Sequence, residues 1–152
     1  MKKEFMLLVI TVTLTGLMAG LFFAWSVSVT PGIARLSHKE YLASFQAMNR
    51  AIINPLFLIC FLGTAVLLPV CTYRQFAQPF STTFWLLLSA TLLYLVFVIG
   101  ITFVGNIPLN NRLDRFELSS ATAEQMAAFR ARFENRWNTL NNIRTMASSV
   151  AF

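Results

Sequence analysis

The sequence predicts an all-α integral membrane protein, a four-helix bundle with one amphipathic interfacial helix, mainly from how its charges are distributed. Of its 152 residues 57% are hydrophobic and 12% are charged, against roughly 25% charged in soluble proteins. Three stretches, residues 5–34, 51–73 and 75–111, contain no charge at all. Each is long enough as a helix to cross a hydrocarbon core of roughly 30 Å. The length suits a single domain, residues 1–152, whose charged segments connect apolar ones.

The first predicted span covers residues 5–29. A basic start followed by an apolar run also resembles a secretory signal, and Ser26-Val27-Ser28 resembles a cleavage site. The run is longer than the usual signal core of about 7 to 15 residues, so we favour an uncleaved span that ends at Pro31-Gly32. Gly16-x-x-x-Gly20 within it indicates close helix packing inside the bundle, with a dimer interface as the alternative.

An amphipathic helix is predicted over residues 38–52. The segment Ser37-His38-Lys39-Glu40 is an S-x-x-E capping box, which marks a helix start. Apolar residues then recur at helical spacing while charged and amide side chains fall on another face. We therefore expect this helix to lie along the membrane surface.

The second and third spans are predicted over residues 54–71 and 81–104. Asn54 is placed to cap the second span and Pro55 occupies its first helical position, whereas Pro69 is able to kink or end it. The link between the two spans is short, so they should be antiparallel neighbours. The segment from Gly105 to Asn111 is predicted to end the third span.

A long last helix is predicted from Thr122, where a T-x-x-Q pattern can cap it. Its apolar stripe indicates a partial or truncated fourth span over residues 137–152, after a polar connector and helix start at 105–136. The stripe comprises Met126, Phe129, Phe133, Trp137, Leu140 and Ile143.

Composition argues against several classes of function. The basic residues are dispersed and the aromatic residues lie in apolar runs, so nucleic-acid binding is not expected, and the net charge of +6 favours contact with anionic membrane lipid instead. His38 is the single histidine, and Cys60 and Cys71 have no metal-ligand spacing. We expect no metal and no cofactor.

Uncharged polar residues cluster at one end of the predicted bundle. Tracing the spans places the ends near Pro31, Asn54, Gly105 and Asn141 on the same side of the membrane. For any single Asn, helix capping is the favoured interpretation. As a set, these groups predict a pocket whose donors suit a carbonyl or phenolate oxygen. Its predicted members are Asn49, Asn54, Asn106, Asn110, Trp137, Asn138, Asn141 and Arg144.

These residues resemble a known family, the small membrane proteins grouped as DUF1772, which are similar to anthrone oxygenases. The resemblance extends over the full length and is specific through the order and spacing of four segments. They are Gly16-Leu-Met-Ala-Gly-Leu-Phe-Phe-Ala-Trp25, Asn49-Arg-Ala-Ile-Ile-Asn-Pro55, Gly105-Asn-Ile-Pro-Leu-Asn110 and Trp137-Asn-Thr-Leu-Asn-Asn-Ile-Arg-Thr145. The family's last span usually runs further past Arg144-Thr145, so a half-crossing helix or a shortened sequence is expected here.

The resemblance implies a four-helix membrane protein and, for fungal members, a monooxygenase that converts an anthrone to an anthraquinone with dioxygen. On that basis Asn138, Asn141 and Arg144 would be the catalytic donors and Trp137 a stacking wall. Asn106 or Asn110 would form a second clamp, and Asn49 and Asn54 would complete the binding site. No good general base is visible, since Asp114 and Glu134, the nearby carboxylates, are expected to face solvent.

Two functions remain open at this level. One is an oxidoreductase-like protein binding a hydrophobic aromatic, anthrone- or quinone-like small molecule, with cofactor-independent oxygenation. The other is a non-catalytic membrane module that binds a lipid, a quinone or a partner protein. Lys2, Lys3 and Arg74 favour a cytoplasmic N-terminus for this multi-pass protein of the cell membrane, the inner membrane if the source is bacterial. Homo-oligomerisation stays open.

Overall fold

Five helices make up the computed structural model, which describes residues 2–76 and 81–152. They are α1 (Lys2–Ile33), α2 (His38–Ile52), α3 (Pro55–Arg74), α4 (Thr82–Asp114) and α5 (Ala123–Ala151). The structure is 88% helical, without a strand in the described residues. Helices α1, α3 and α4 are long and apolar enough to cross a membrane. The predicted all-α, multi-pass architecture is confirmed.

The predicted signals at helix starts are confirmed. The Ser37 hydroxyl accepts a hydrogen bond from the Glu40 backbone N–H while the Glu40 carboxylate accepts one from Ser37 N, which completes the capping box. The same reciprocal pair joins Thr122 and Gln125 at the start of α5. Asn54 Oδ1 accepts from Phe57 N at 3.0 Å and caps α3.

The predicted break at Gly105–Asn111 is wrong, because α4 continues through this segment to Asp114. The helix widens into π turns over Leu93–Gly100 and Thr102–Asn106, after which α-helical geometry resumes at Ile107. Pro108 therefore falls in the first turn of a new α-helical segment, where its missing N–H costs little. Asn106 and Asn110 consequently lie one turn apart on one face of a continuous helix.

Other boundaries shift by a few residues. Helix α3 passes through Pro69 and ends at Arg74, beyond the predicted end at residue 71. Helix α1 contains a π turn over Trp25–Val29 followed by Pro31, the same combination as in α4. The predicted link at residues 72–79 lies partly outside the described residues.

The apolar face of α2 packs against protein. Tyr41, Leu42 and Phe45 are fully buried in a cluster that includes Phe133 and Trp137 of α5. The helix is amphipathic as predicted, but its apolar side covers one end of the bundle and is not left for lipid. Its position along the membrane surface remains a prediction.

The C-terminal half of α5 packs among the three apolar helices. Ala147 joins the core formed by Met18, Phe61 and Tyr94, and the Phe152 ring lies so close to Gly16 that a Cβ there would come within 2.8 Å of it. A Cβ on Gly20 would meet open space, so the first glycine of the pair serves packing within the chain. Whether this half of α5 crosses the membrane stays a prediction.

The two ends of this bundle differ. At the end where Thr11, Thr72 and Thr91 lie, α1, α3 and α4 are joined by hydroxyl and thiol contacts, including Thr72 to Thr91 at 2.8 Å and Thr11 to Cys71 at 3.3 Å. At the mouth end, α1, α2, α4 and α5 meet where Arg130 contacts the backbone of residues 34 and 36 and Arg50 pairs with Asp114. The polar helix ends that the sequence places on one side therefore do converge.

Candidate functional site

A cavity of about 340 Å³ lies inside the mouth end of the bundle. This volume falls within the roughly 300–1,000 Å³ typical of small-molecule sites. Its lining is mostly apolar and comes from α1, the end of α2, α3, α4 and α5. Six of the eight predicted site residues line it: Asn49, Asn106, Asn110, Trp137, Asn141 and Arg144.

The other two predicted residues are not part of the cavity lining. Asn54 is exposed, and its amide caps α3 and donates to the Ala51 carbonyl. Asn138 is half-buried on α5, and its Oδ1 is buried without a hydrogen-bond partner. Capping, the favoured interpretation of a single Asn, accounts for Asn54, whereas no hydrogen bond within the described residues accounts for Asn138 Oδ1.

Arg144 is the central polar group of the cavity, and its side chain is 7% exposed. Its Nη2 donates to Asn141 Oδ1 at 2.8 Å and its Nη1 to Thr102 Oγ1 at 3.2 Å, while Nε has no partner. The guanidinium carbon lies 4.6 Å from the Phe22 ring centroid. No carboxylate pairs with it within residues 2–76 and 81–152. A permanently charged group is thus buried with neutral partners alone.

Asn141 holds this guanidinium in place. Its Oδ1 accepts from Arg144, and its Nδ2 donates to Ser26 Oγ at 2.8 Å. Ser26 in turn contacts Thr145 at 2.9 Å, one turn further along α5. The amide orientation is therefore determined by a network between α1 and α5, which preorganises Arg144 toward the cavity.

Several cavity atoms have unused hydrogen-bonding capacity. Asn106 is 1% exposed and neither its Oδ1 nor its Nδ2 has a partner. The Nδ2 of Asn49 and the Nε of Arg144 are in the same state. Buried polar groups in folded proteins are nearly always hydrogen-bonded, so these unpartnered atoms set the cavity lining apart from most of the other buried polar groups.

Aromatic rings form much of the cavity wall. Trp137 lies 5.2 Å from Trp25, centroid to centroid, and its indole N–H donates to Asn110 Oδ1 at 2.9 Å. On α3, Phe57 and Phe61 stack at 5.3 Å. These surfaces suit a flat aromatic molecule.

Four contributing residues were not predicted as site members: Phe22, Trp25, Ser26 and Thr102. Phe22 and Trp25 lie inside the resembling segment Gly16–Trp25, which was the one available signal. Ser26 and Thr102 look like ordinary residues of a membrane span, and only the packing of α1 and α4 against α5 gives them a role.

The cavity lining contains no carboxylate and no imidazole among the described residues. Asp114 pairs with Arg50 and Glu134 with Arg130, so both expected carboxylates are engaged elsewhere. The described part of the chain also has no group of three His, Cys, Asp or Glu side chains that could hold a metal ion.

Three helices that are long and apolar enough to cross a membrane, packed around an amide-rich and aromatic cavity, are typical of a multi-pass membrane protein. The chain belongs to the anthrone oxygenase family, whose model matches residues 42–152. The match begins within α2, continues through α5 and leaves the resembling segment Gly16–Trp25 outside it. No similar protein was found among curated proteins or among solved structures.

Proposed function

We propose that the cavity binds an aromatic, anthrone- or quinone-like molecule with one oxygen directed at Arg144. The observation that carries this proposal is the buried guanidinium, which has no carboxylate partner and a free Nε beside an apolar cavity. A buried cation of this kind is stabilised by an anionic or strongly accepting oxygen. A phenolate or enolate of a fused aromatic ketone supplies that oxygen together with flat apolar rings.

The second polar position is Asn106. Its amide is buried and unpartnered, and it lies on α4 one turn beyond Thr102, which contacts Arg144. An amide can donate and accept, so it suits a second carbonyl or hydroxyl on the same molecule. Two polar contacts on different helices would set the orientation of an otherwise apolar ligand.

The ligand reaches the cavity from the bilayer in this proposal. Cavity-lining residues of α3 and α4 are partly exposed on the outside of the bundle: Leu58 at 40%, Leu62 at 46% and Phe103 at 55%. An opening lined by these side chains would face lipid acyl chains in a membrane. A hydrophobic substrate would then partition into lipid first and move laterally into the site.

The proposed reaction is oxidation of the anthrone methylene carbon to a carbonyl by dioxygen, with water as the second product. Loss of a proton gives a stabilised carbanion, which passes one electron to dioxygen. The carbon radical and superoxide combine, and protonation gives a hydroperoxide. Cleavage of its O–O bond with loss of the second C–H proton then releases water. Arg144, held by Asn141, stabilises the enolate oxygen, and the apolar walls exclude bulk water. Since no lining side chain is a suitable base, the first proton leaves to hydroxide or buffer at the mouth of the cavity.

The test measures oxygen uptake with anthrone by the full chain in lipid nanodiscs. Arg144→Gln removes the charge, and we expect a rate loss of roughly 100- to 1,000-fold, the usual cost of one oxyanion donor. Asn142→Ala, an exposed substitution on the same helix outside the cavity lining, is the matched control and should keep full activity. Asn138→Ala in the same assay decides the predicted role of that residue. Equal uptake by the Arg144 variant and the native protein would refute the site.

Binding without turnover distinguishes the alternative, a non-catalytic module for a lipid or quinone. Two of the three tryptophans, Trp25 and Trp137, line the cavity, so anthraquinone bound there should quench their fluorescence. Quenching that depends on Arg144, without oxygen uptake on anthrone, supports the module and rejects the oxygenase.

A further inference from the structure

We propose that a second cavity of this protein binds the phosphate group of an anionic phospholipid. This cavity, called the arginine groove here, has a volume of about 760 Å³. It lies between the end of α4, residues 116–121 of the connector and the first half of α5. Its polar rim includes Arg112, Arg132 and Arg136, and its apolar floor includes Leu109, Phe129 and Phe133.

The three rim arginines have no ion-pair or side-chain hydrogen-bond partner among residues 2–76 and 81–152. Each is exposed. Arg50 and Arg130, close by, are both paired with carboxylates. Glu117 is the one acidic residue on the rim of the groove, and the Ser119 hydroxyl donates to it at 3.5 Å. The groove therefore carries an excess of positive charge.

The placement of the arginines also favours an anion between them. Arg132 and Arg136 are four residues apart on α5 and lie next to each other on one face, where like charges repel. Arg112, at the end of α4, lines the same groove. A phosphate between them would remove the repulsion and accept several guanidinium hydrogen bonds, often in bidentate pairs.

The apolar floor selects an amphiphile over a free anion. Leu109 and Phe133 are buried beneath the groove, and Phe116 and Phe129 pack at 4.4 Å along it. The groove lies at the mouth end, where α4 leaves its apolar stretch and α5 begins its own. Basic pockets at such a boundary are a recognised binding place for anionic head groups. The head group would contact the arginines while the glycerol and first acyl carbons cover the apolar floor.

This proposal is independent of the oxygenase site. None of the three arginines lines the cavity that contains Arg144. Loss of lipid binding and loss of anthrone oxidation can therefore be measured separately.

The experiment uses the full chain in detergent micelles doped with phosphatidylglycerol or with zwitterionic phosphatidylcholine. Bound lipid is counted by native mass spectrometry, and thermal unfolding is followed in parallel. We expect phosphatidylglycerol to be retained in preference to phosphatidylcholine. The triple variant Arg112→Gln, Arg132→Gln, Arg136→Gln should bind it about 100-fold more weakly, given the usual contribution per basic residue.

The matched control is Arg35→Gln, Lys39→Gln, Arg115→Gln, which removes the same charge from exposed residues near the same end but outside the groove. It should retain phosphatidylglycerol. If the first triple variant fails to fold, the single exposed substitution Arg132→Gln should still weaken binding several-fold. Equal losses of phosphatidylglycerol binding in both triple variants would show a nonspecific charge effect. If inorganic phosphate alone raised the thermal midpoint as much as phosphatidylglycerol does, the groove would be a site for a soluble anion. Either result overturns the proposal.

Discussion

Two buried arginines on α5, Arg130 and Arg144, have nearly the same exposure, 9% and 7%, and opposite surroundings. Arg130 donates from Nε to Glu134 at 2.8 Å, from Nη1 to the Leu36 carbonyl at 2.8 Å and from Nη2 to the Ala34 carbonyl at 2.7 Å. It also lies over the Tyr41 ring at 4.2 Å. Arg144 has two neutral side-chain partners, a free Nε and a cavity beside it.

The difference separates a structural cation from a candidate functional one. Arg130 satisfies carbonyl groups at the end of α1, which helix geometry leaves without partners, and its charge is balanced by Glu134. Arg144 has no carboxylate among the described residues to balance its charge, and its Nε has no hydrogen-bond partner. Both amide atoms of Asn106, on the same cavity, also lack partners. Such incomplete satisfaction is costly to the fold, so it points to a group that completes the site when bound.

The largest expected effect is on activity at Arg144. Arg144→Leu should reduce anthrone oxidation at least as much as Arg144→Gln, by roughly 1,000-fold, because both the charge and the donors are lost. The thermal midpoint without ligand should stay unchanged or rise, because an unpaired buried cation is removed. Oxygen uptake and thermal unfolding, measured on one preparation, check the expected loss of activity and the expected thermal midpoint. A large fall in the midpoint would place Arg144 with Arg130 as a structural residue.

Arg130→Leu should show the reverse pattern. It leaves Glu134 and the carbonyls of Ala34 and Leu36 without their donor, and we expect a destabilisation of about 3 kcal/mol. The measurement is unfolding in detergent with increasing denaturant. Folded Arg130→Leu protein should retain oxygen uptake, and loss of activity without loss of stability would contradict this division of roles.

Asn106→Leu sharpens the comparison within the cavity itself. Both amide atoms lack partners, so replacing them with an apolar side chain should stabilise the empty protein by ~1 to 3 kcal/mol. The same change should weaken anthraquinone binding, because one polar contact is lost. Asn141→Leu is the matched control and should destabilise, since the Asn141 amide bonds both Ser26 and Arg144. Destabilisation by Asn106→Leu would indicate that this amide serves the fold.

The smallest effect concerns Tyr41, beneath Arg130. Its hydroxyl is buried without a partner, and burial raises the pKa of this phenol above its ordinary value. Tyr41→Phe keeps the ring under Arg130 and should stabilise by about 1 kcal/mol. Because the unfolded phenol ionises near pH 10 and the folded one at higher pH, its contribution is complete below pH 10 and declines as the pH rises further. The free energy of unfolding should therefore change less between pH 8 and pH 11 for Tyr41→Phe than for the native protein.

Much of the fold was predictable from local patterns. The capping boxes at Ser37 and Thr122 and the Asn54-Pro55 start depend on neighbouring residues along the chain, and all three formed as predicted. The end of α4 was not predictable, because Gly105 and Pro108 usually interrupt a helix and only the π turn before Ile107 accommodates them. In addition, a Cβ on Gly105 would come within 2.7 Å of Leu140, so this glycine permits the close approach of α5.

Part of the candidate site was also predictable, because some of its residues stand out by residue type alone. Asn49, Asn106, Asn110, Asn141 and Arg144 are conspicuous because polar side chains are costly inside apolar segments. Asn54 belongs to the same residue type but caps a helix, a use that the following Pro55 already indicated in the sequence. Phe22, Ser26 and Thr102 were missed because aromatic and hydroxyl side chains are unremarkable in a span.

The sequence by itself determined that the chain suits a membrane, where its helices begin and which polar residues are candidates for a site. Charge-free runs and helix caps can be recognised from neighbouring residues alone. The tertiary structure alone decided which of those polar groups are satisfied. Arg130 has a carboxylate, Glu134, one turn further along the same helix and Arg144 has none, but the sequence does not show that Arg130 meets the end of α1 while Arg144 meets a cavity. That distinction depends on contacts between residues distant along the chain, which three-dimensional packing creates and local sequence patterns do not encode.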